Sequence, residues 1–485
     1  MERPIVLINV SKPEDVRIPP LALLYVGGAL KKEGYDVKVY SFSTRDIQKY
    51  AKEVAEIKPL YLGVSVFTGS KTRDSADFSK AVKAIDPTTP ILWGGIHPSL
   101  LPYQCLNEDY IDYVVVGEGE ETIVEFTKAM LGRVNFEDIF GLGYKKNGII
   151  KLNQKRPFVQ DLDKYSLDWS LIDVEKFLDR HWDSKKILGF ISSRGCPFDC
   201  SFCYNQEFNA RKWRAHGTKK VINEIKELKD RYNIDGLRFY DDLLFANPPR
   251  AIEIVREVKL PWYGEIRIGM INEKITDVLI ETECREVLFG LESGSDRILR
   301  LMDKAQTVEA IRKGVKLLNR AKELRTVGSF IVGVPTETKE ETFETVNLIL
   351  ELLKINPNMR YSVGFYLPYP GSAMYNLAIK EGFKPFEKTE DWDALDRWAD
   401  RLKLTWLNWM QDSSYFKAIR DYVNLLPLNE VKVPFIRSIP EKRLKNKDFS
   451  HKYELSALSY LQHQFSVDGT FVNKVGRAVL PYIRG

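Results

Sequence analysis

The chain opens with two alternating hydrophobic periods. Apolar runs rich in β-branched residues, IVLINV (5–10), DVKVYSF (36–42), YLGVSVF (61–67), ILWGG (91–95) and YVVVG (113–117), each read as a buried strand. Between them lie amphipathic segments such as LALLYVGGALKKEG, ending at Gly34, and TRDSADFSKAVKAI, starting at Thr72. Strict alternation of strand and helix predicts an α/β fold with a parallel, doubly wound sheet of the flavodoxin or Rossmann type. Ligands of such sheets bind beyond the carboxyl ends of the strands. Those ends carry Ser65-Val66-Phe67-Thr68-Gly69, Gly94-Gly95-Ile96-His97-Pro98 and Gly117-Glu118-Gly119-Glu120. Glycine there lets the backbone approach a large ligand, and it equally serves ordinary βα turns. No G-x-G-x-x-G follows the first strand, which weighs against a dinucleotide.

A second series begins at Ile187, with strands ILGFIS, GLRFY, YGEIRIG, EVLFG, VGSFIVG and YSVGFYL, each followed by a helical pattern. Six such repeats predict a partial (β/α)6 barrel with its site at the C-terminal strand ends. The layout is a front domain over 1–150, a linker over 151–185, a barrel over 186–385 and a mostly helical region over 386–485. In the last region, WDALDRWADRLKLTWLNWM carries Trp392, Trp398, Trp406 and Trp409. These read as the core of a helical cap, or as a substrate-recognition or membrane-surface element.

Charge changes little in this picture. The 72 basic and 67 acidic residues leave a net charge of +5, which gives no case for nucleic acid as partner. MERPIVLINV reads as a strand and lacks the features of a signal peptide, and no stretch reaches the roughly 18 apolar residues of a membrane span. A cytoplasmic location is expected.

The cysteines change much more. Of five, Cys196, Cys200 and Cys203 fall within eight residues, directly after the first barrel strand. An odd count so clustered is a poor disulfide framework and reads as a metal site. Zinc would require a fourth ligand, for which His216 is the nearby candidate. Iron-sulfur clusters usually take four thiolates, so three imply an iron open to another ligand. Cys105 and Cys284 read as buried apolar thiols.

The segment Gly195-Cys196-Pro197-Phe198-Asp199-Cys200-Ser201-Phe202-Cys203 resembles the signature of the radical S-adenosylmethionine (SAM) superfamily, C-x3-C-x2-C with an aromatic before the last cysteine. The resemblance implies a [4Fe-4S] cluster on the three cysteines, with SAM chelating the open iron and being cleaved to a 5′-deoxyadenosyl radical. It further implies SAM contacts from Phe202, from Asp241 and Asp242 in Phe239-Tyr240-Asp241-Asp242 (with Asn247 and Arg250 downstream), from Glu292 and Ser293, and from Val332 and Gly333. Arg267 is a candidate partner for the SAM carboxylate, since guanidinium binds carboxylate in bidentate geometry. Tyr369-Pro370-Gly371-Ser372 ends the sixth strand as in relatives.

Beside such a barrel, the front domain resembles the cobalamin module of the class B radical SAM methyltransferases and of the anaerobic ring cyclase of chlorophyll synthesis. Pro19-Pro20-Leu21 with Leu24-Tyr25, and the segments around Gly94-Gly95 and Gly117-Glu118-Gly119, carry the likeness. It implies a corrinoid held by Ser65, Thr68, Gly69, Gly94, Gly95, His97, Gly117, Glu118 and Gly119. The D-x-H-x-x-G motif is absent, so base-off cobalamin without a protein histidine on cobalt is expected. One SAM would supply a methyl group to the corrinoid and a second the radical, methylating an unactivated sp3 carbon. Tyr204, Tyr240 and Tyr366 are the candidate catalytic residues, with Tyr369 lining the same space. The substrate could be a peptide or protein residue, a lipid or a small molecule, and the electron donor a ferredoxin or flavodoxin. Oxidative cyclisation or ring rearrangement, and a non-enzymatic corrinoid carrier, are the competing readings.

Overall fold

The computed structural model describes residues 3–181 and 184–395, and beyond them 407, 409, 413–426, 434–449 and 454. Trp398 and Trp406 lie outside the described residues. The first sheet comprises β1 (Ile5–Ser11), β2 (Val37–Ser43), β3 (Leu62–Ser65), β4 (Ile91–Gly94), β5 (Tyr113–Val115), β6 (Leu142–Lys146) and β7 (Ile149–Leu152). Its order is β2-β1-β3-β4-β5-β6-β7. The first five strands run parallel, so the chain reverses its direction of winding between β1 and β3, the switch point of a flavodoxin-like sheet.

All seven residues of β1 are buried because helices cover both faces. Val6, Ile8 and Val10 enter one core, with Phe78 of the helix Ser70–Ile85. Ile5 and Leu7 enter the other, with Leu23 and Leu30 of the helix Leu21–Lys32. The period of two thus serves two cores at once. The purely parallel sheet expected from the pattern is corrected at one edge, where β6 and β7 add an antiparallel hairpin. Its turn is Asn147-Gly148, both with positive φ (52° and 76°), the backbone a two-residue hairpin requires.

The chain continues through β8 (Asp179–His181), β9 (Ser184–Phe190), the short β10 (Ser193–Arg194) and β11 (Arg214–Ala215), β12 (Gly236–Phe239), β13 (Trp262–Glu265), β14 (Cys284–Glu292), β15 (Arg325–Val332) and β16 (Arg360–Phe365). The second sheet runs β16-β15-β14-β13-β12-β9-β8. Six of its strands are parallel and form the expected half-barrel, with β8 antiparallel at its edge. Trp262, the first residue of β13, is 1% exposed in the core of the barrel domain, its ring 6.0 Å from Phe245 and its indole N–H donating to Thr282 Oγ1 at 3.0 Å. Beyond β16 the helix Ser413–Asn424 lies against that strand, Asn424 Oδ1 accepting from Val363 N at 3.0 Å. No helix among the described residues is long and apolar enough to cross a membrane.

Trp262→Ala removes one of the largest fully buried side chains of this core. It is expected to cost about 3–5 kcal/mol, read as a lower midpoint in urea unfolding of the barrel.

Candidate active site

The three cysteines lie on one loop, and the fold holds that loop at three places. Its neck is the antiparallel pair β10–β11, with Ser193 opposite Ala215 and Arg194 opposite Arg214. Gly195 opens the loop at φ +82°, and a Cβ there would collide with the Lys212 carbonyl, so glycine is required. Asp242, just past β12, grips both flanks of the cysteines: it accepts from Gly195 N at 2.8 Å and from the Tyr204 hydroxyl at 3.1 Å. The far side is tied down by Ser201, whose N–H donates to Met302 O at 2.9 Å and whose carbonyl accepts from Met374 N at 2.8 Å.

Asp241 braces the loop from beneath. It accepts from Ser192 N (3.0 Å), Ser192 Oγ (2.8 Å) and the Ser193 hydroxyl. Arg250 donates to the Ser192 carbonyl at 2.9 Å and the His216 carbonyl at 3.0 Å. The F-Y-D-D…N-x-x-R pattern therefore works as a support for the cysteine loop, and Asn247 caps the helix carrying Arg250.

Two observations bear on which metal fits. A mononuclear zinc would draw four donors to one point. Among the described residues no three His, Cys, Asp or Glu side chains surround a single ion, whereas the thiolates of a cubane each bind a different iron. His216, the nearby zinc candidate, is occupied elsewhere: its Nε2 bonds the Tyr25 hydroxyl at 2.8 Å and its Nδ1 bonds Asp163 at 3.1 Å. The second observation is Arg267, buried two residues beyond β13, shorter than the YGEIRIG reading. One guanidinium N–H points at Cys200 Sγ at 3.4 Å, and no described carboxylate pairs with it. A buried cation beside a thiol suits an anionic iron-thiolate cluster. Its charge also opposes the rise in the Cys196 thiol pKa that burial causes. Burial first, and the neighbouring Cys200, Asp242 and Cys196 after it, push the Cys203 thiol up to about 12, so this thiol stays protonated until a metal displaces the proton.

The other expected SAM residues lie at the carboxyl ends of β14 and β15. Glu292 ends β14 at a bulge with φ +64°, its carboxylate paired with Lys304 Nζ at 2.6 Å, and that ammonium stands 5.6 Å from the Phe202 ring. Ser293 is buried and its hydroxyl meets Thr345 Oγ1 at 3.2 Å. Val332 ends β15, and the Gly333 carbonyl accepts from the Trp409 indole at 3.1 Å. Of the tyrosines, Tyr204 braces Asp242, Tyr366 is buried 6.1 Å from Trp409, and Tyr240 is 37% exposed against Gly189 and Pro19. A Cβ on Gly371, in the Y-P-G-S turn, would crowd Glu207, in the short helix after the cysteines, and Leu100 of the front domain. Cys105 and Cys284 are buried.

In the front domain, Ser65, Thr68, Gly69, Gly94, Gly95, His97, Gly117 and Gly119 gather at the carboxyl ends of β3, β4 and β5. Gly69, Gly95 and Gly117 take positive φ, and a Cβ on Gly117 would meet open space. His97 is fully buried, with Nδ1 bonded to Thr68 Oγ1 at 3.2 Å and Nε2 without a partner among the described residues. Burial lowers its pKa to about 3, so the ring is neutral. Glycines in positive φ at the carboxyl ends of β3, β4 and β5, with an orphaned ring nitrogen beneath them, fit a corrinoid. The turn Thr389–Leu395 packs against the front domain beside His97. Trp392 stands 5.9 Å from the His97 ring and donates to Gln104 Oε1 at 2.7 Å, while Glu390 and Asp393 pair with Lys80 (2.9 Å) and Arg73 (3.1 Å).

Glu118 has a task the sequence did not reveal. Both of its oxygens are taken: Arg194 at 2.8 Å, Arg214 at 2.8 Å and the Val159 N–H at 2.8 Å. Glu120 takes the second prong of Arg194 at 2.5 Å, and that guanidinium lies 4.5 Å over the Tyr25 ring. The front domain thus grips both strands of the cysteine-loop neck through largely desolvated charges.

Two outcomes follow for stability. Glu118→Ala leaves the buried Arg214 without its carboxylate and Arg194 with Glu120 alone, and is expected to cost about 3–5 kcal/mol, with faster proteolysis of residues 151–185. His216 is neutral when folded, its pKa lowered from 6.5 to about 4, chiefly by desolvation. The unfolded chain therefore binds the extra proton first, so stability falls as pH drops from about 6.5 to about 4, by on the order of 3 kcal/mol. His216→Gln is expected to flatten that part of a pH series of unfolding midpoints.

Comparison with known proteins agrees with this geometry. The family model for the radical SAM superfamily matches residues 190–349, and that for the B12 binding domain matches residues 14–127. An uncharacterised methyltransferase of Pyrococcus horikoshii is 31% identical over 375 residues, covering 74% of this chain and 78% of its own. The methyltransferase TsrM of Kitasatospora setae, solved with cobalamin and a [4Fe-4S] cluster, superposes with a TM-score of 0.64 at 20% identity, over 79% of this chain and 75% of that one. The cobalamin-dependent radical enzyme OxsB, solved with aqua-cobalamin and SAM, gives 0.67 at 16% identity, over 99% and 75%. The chain belongs to the cobalamin-dependent radical SAM methyltransferase family, whose cofactors are a [4Fe-4S] cluster, SAM and cobalamin.

Proposed function

We propose that this enzyme transfers a methyl group to an unactivated sp3 carbon of a substrate bound where the carboxyl ends of its two sheets meet. The observation that carries this reading is the clamp of Glu118 and Glu120 on Arg194 and Arg214. It fixes the neck of the cysteine loop against the domain that binds the corrinoid, so both cofactor sites serve one substrate. When bound, the cluster and SAM supply a carbon-centred radical, and the corrinoid supplies the methyl group. Proximity is what the protein adds, because a radical that must diffuse is quenched.

The chain's own residues then have definite tasks. Cys196, Cys200 and Cys203 hold the cluster, while Asp241 and Asp242 keep their loop in register. Gly69, Gly95 and Gly117 admit the corrinoid, with no histidine offered to cobalt from the loop after β1. Tyr240, half exposed between Pro19 and Gly189, faces the junction of the domains and is the tyrosine best placed to meet substrate. A low-potential donor such as a ferredoxin or flavodoxin would deliver the electron.

The test is product analysis on anaerobically reconstituted protein, reduced with dithionite and supplied with SAM carrying a deuterated methyl group. Both S-adenosylhomocysteine and 5′-deoxyadenosine are expected, and Cys200→Ala is expected to lower 5′-deoxyadenosine at least 100-fold. Formation of 5′-deoxyadenosine without any S-adenosylhomocysteine would overturn methyl transfer in favour of cyclisation or rearrangement.

A further inference from the structure

Two cations flank the cysteine loop, and they are treated differently. Lys304 stands over Phe202 but is neutralised by Glu292 at 2.6 Å. Arg267 stands over Phe198, its guanidinium carbon 3.7 Å from the ring centroid, and has no carboxylate partner among the described residues. Its two terminal nitrogens are committed, one to Cys200 Sγ at 3.4 Å and the other to the Lys304 carbonyl. The chemistry of its side chain makes Arg267 a candidate SAM-carboxylate partner. Bidentate carboxylate binding needs the fork that is here spent on sulfur and carbonyl.

We infer that Arg267 is the built-in counter-charge of the iron-sulfur cluster and sets its reduction potential before SAM arrives. This rests on the reading that the three cysteines hold a [4Fe-4S] cluster. Three thiolates outweigh the doubly positive oxidised core by one charge, and reduction by one electron from a low-potential donor adds a second negative charge without making or breaking a bond. A buried guanidinium, fixed by Phe198 and the Lys304 carbonyl, favours the more negative state. Its N–H bond to Cys200 withdraws density from that sulfur in the same direction. Hydrogen bonds to sulfur and local net charge are the protein's main means of moving such potentials. Because Lys304 is already paired, Arg267 is the side chain whose charge remains for the cluster.

The experiment is an EPR-monitored redox titration of reconstituted, SAM-free holoenzyme with dithionite as reductant. Arg267→Gln keeps a neutral donor of related shape and removes the charge. At the wild-type midpoint its ratio of reduced to oxidised cluster is expected to fall at least tenfold, which for a one-electron couple is about 59 mV. Arg267→Lys, whose ammonium cannot reach both Cys200 and the Lys304 carbonyl, is expected to fall between the two. A fully loaded Arg267→Gln protein with the wild-type midpoint, and SAM affinity reduced instead, overturns the inference and returns Arg267 to the SAM carboxylate. Should Arg267→Gln fail to hold iron, the neutral Arg267→Met takes its place, and a wild-type midpoint there overturns it equally. Wild-type protein that binds no iron and sulfide overturns the cluster reading and this inference with it.

Discussion

Glu118 holds the two halves of this enzyme in register. Its carboxylate receives Arg194 and Arg214, cross-strand neighbours on the neck of the cysteine loop, and Glu120 receives what remains of Arg194. Buried ion pairs of this kind contribute little net stability, since desolvation cancels most of the attraction. They contribute specificity of placement, since a shifted interface would leave a desolvated charge alone. The residue two positions before Cys196 is thereby fixed by the domain that binds the corrinoid, and the distance between two cofactors becomes a property of the fold.

The same economy runs through the loop itself. Asp241 and Asp242 are adjacent, yet one serves the strand below the loop and the other its two flanks. Burial raises the pKa of both carboxyls, and hydrogen bonds from Ser192, Ser193, Gly195 and Tyr204 oppose that rise. Satisfied buried networks of this sort are rigid, because breaking any bond leaves a desolvated acceptor. Rigidity matters where a reactive carbon must meet only its substrate. Arg267 is the exception that points outward from the protein's own bookkeeping, a buried cation whose partner is to be supplied by the cofactor.

Much of this was legible in the sequence, for reasons that are local. The parallel strands appear as buried runs, and the cysteine spacing carries its chemistry within eight residues. The edge hairpin was legible in principle from Asn147-Gly148 but was masked by the polar Lys145 and Lys146 beside it. YGEIRIG read as one strand, although β13 stops at Glu265 where the backbone turns into a short 3-10 segment after Arg267. What the sequence could not reveal is long-range. Glu118 meets Arg214 across 96 positions, Tyr25 meets His216 across 191, and Trp392 meets Gln104 across 288. Glu118 lies in a glycine-rich βα turn and so looked like a corrinoid contact, and only the fold brings two arginines to it.

The central claim is that three sulfurs leave one iron for SAM. Electron-nuclear double resonance on the reduced, anaerobic protein with SAM labelled in turn at its amino nitrogen and carboxylate carbon tests it at the atom concerned. Hyperfine coupling from both labels to the cluster spin is the expected result. A cluster signal with neither coupling, or zinc in place of iron, would contradict the account.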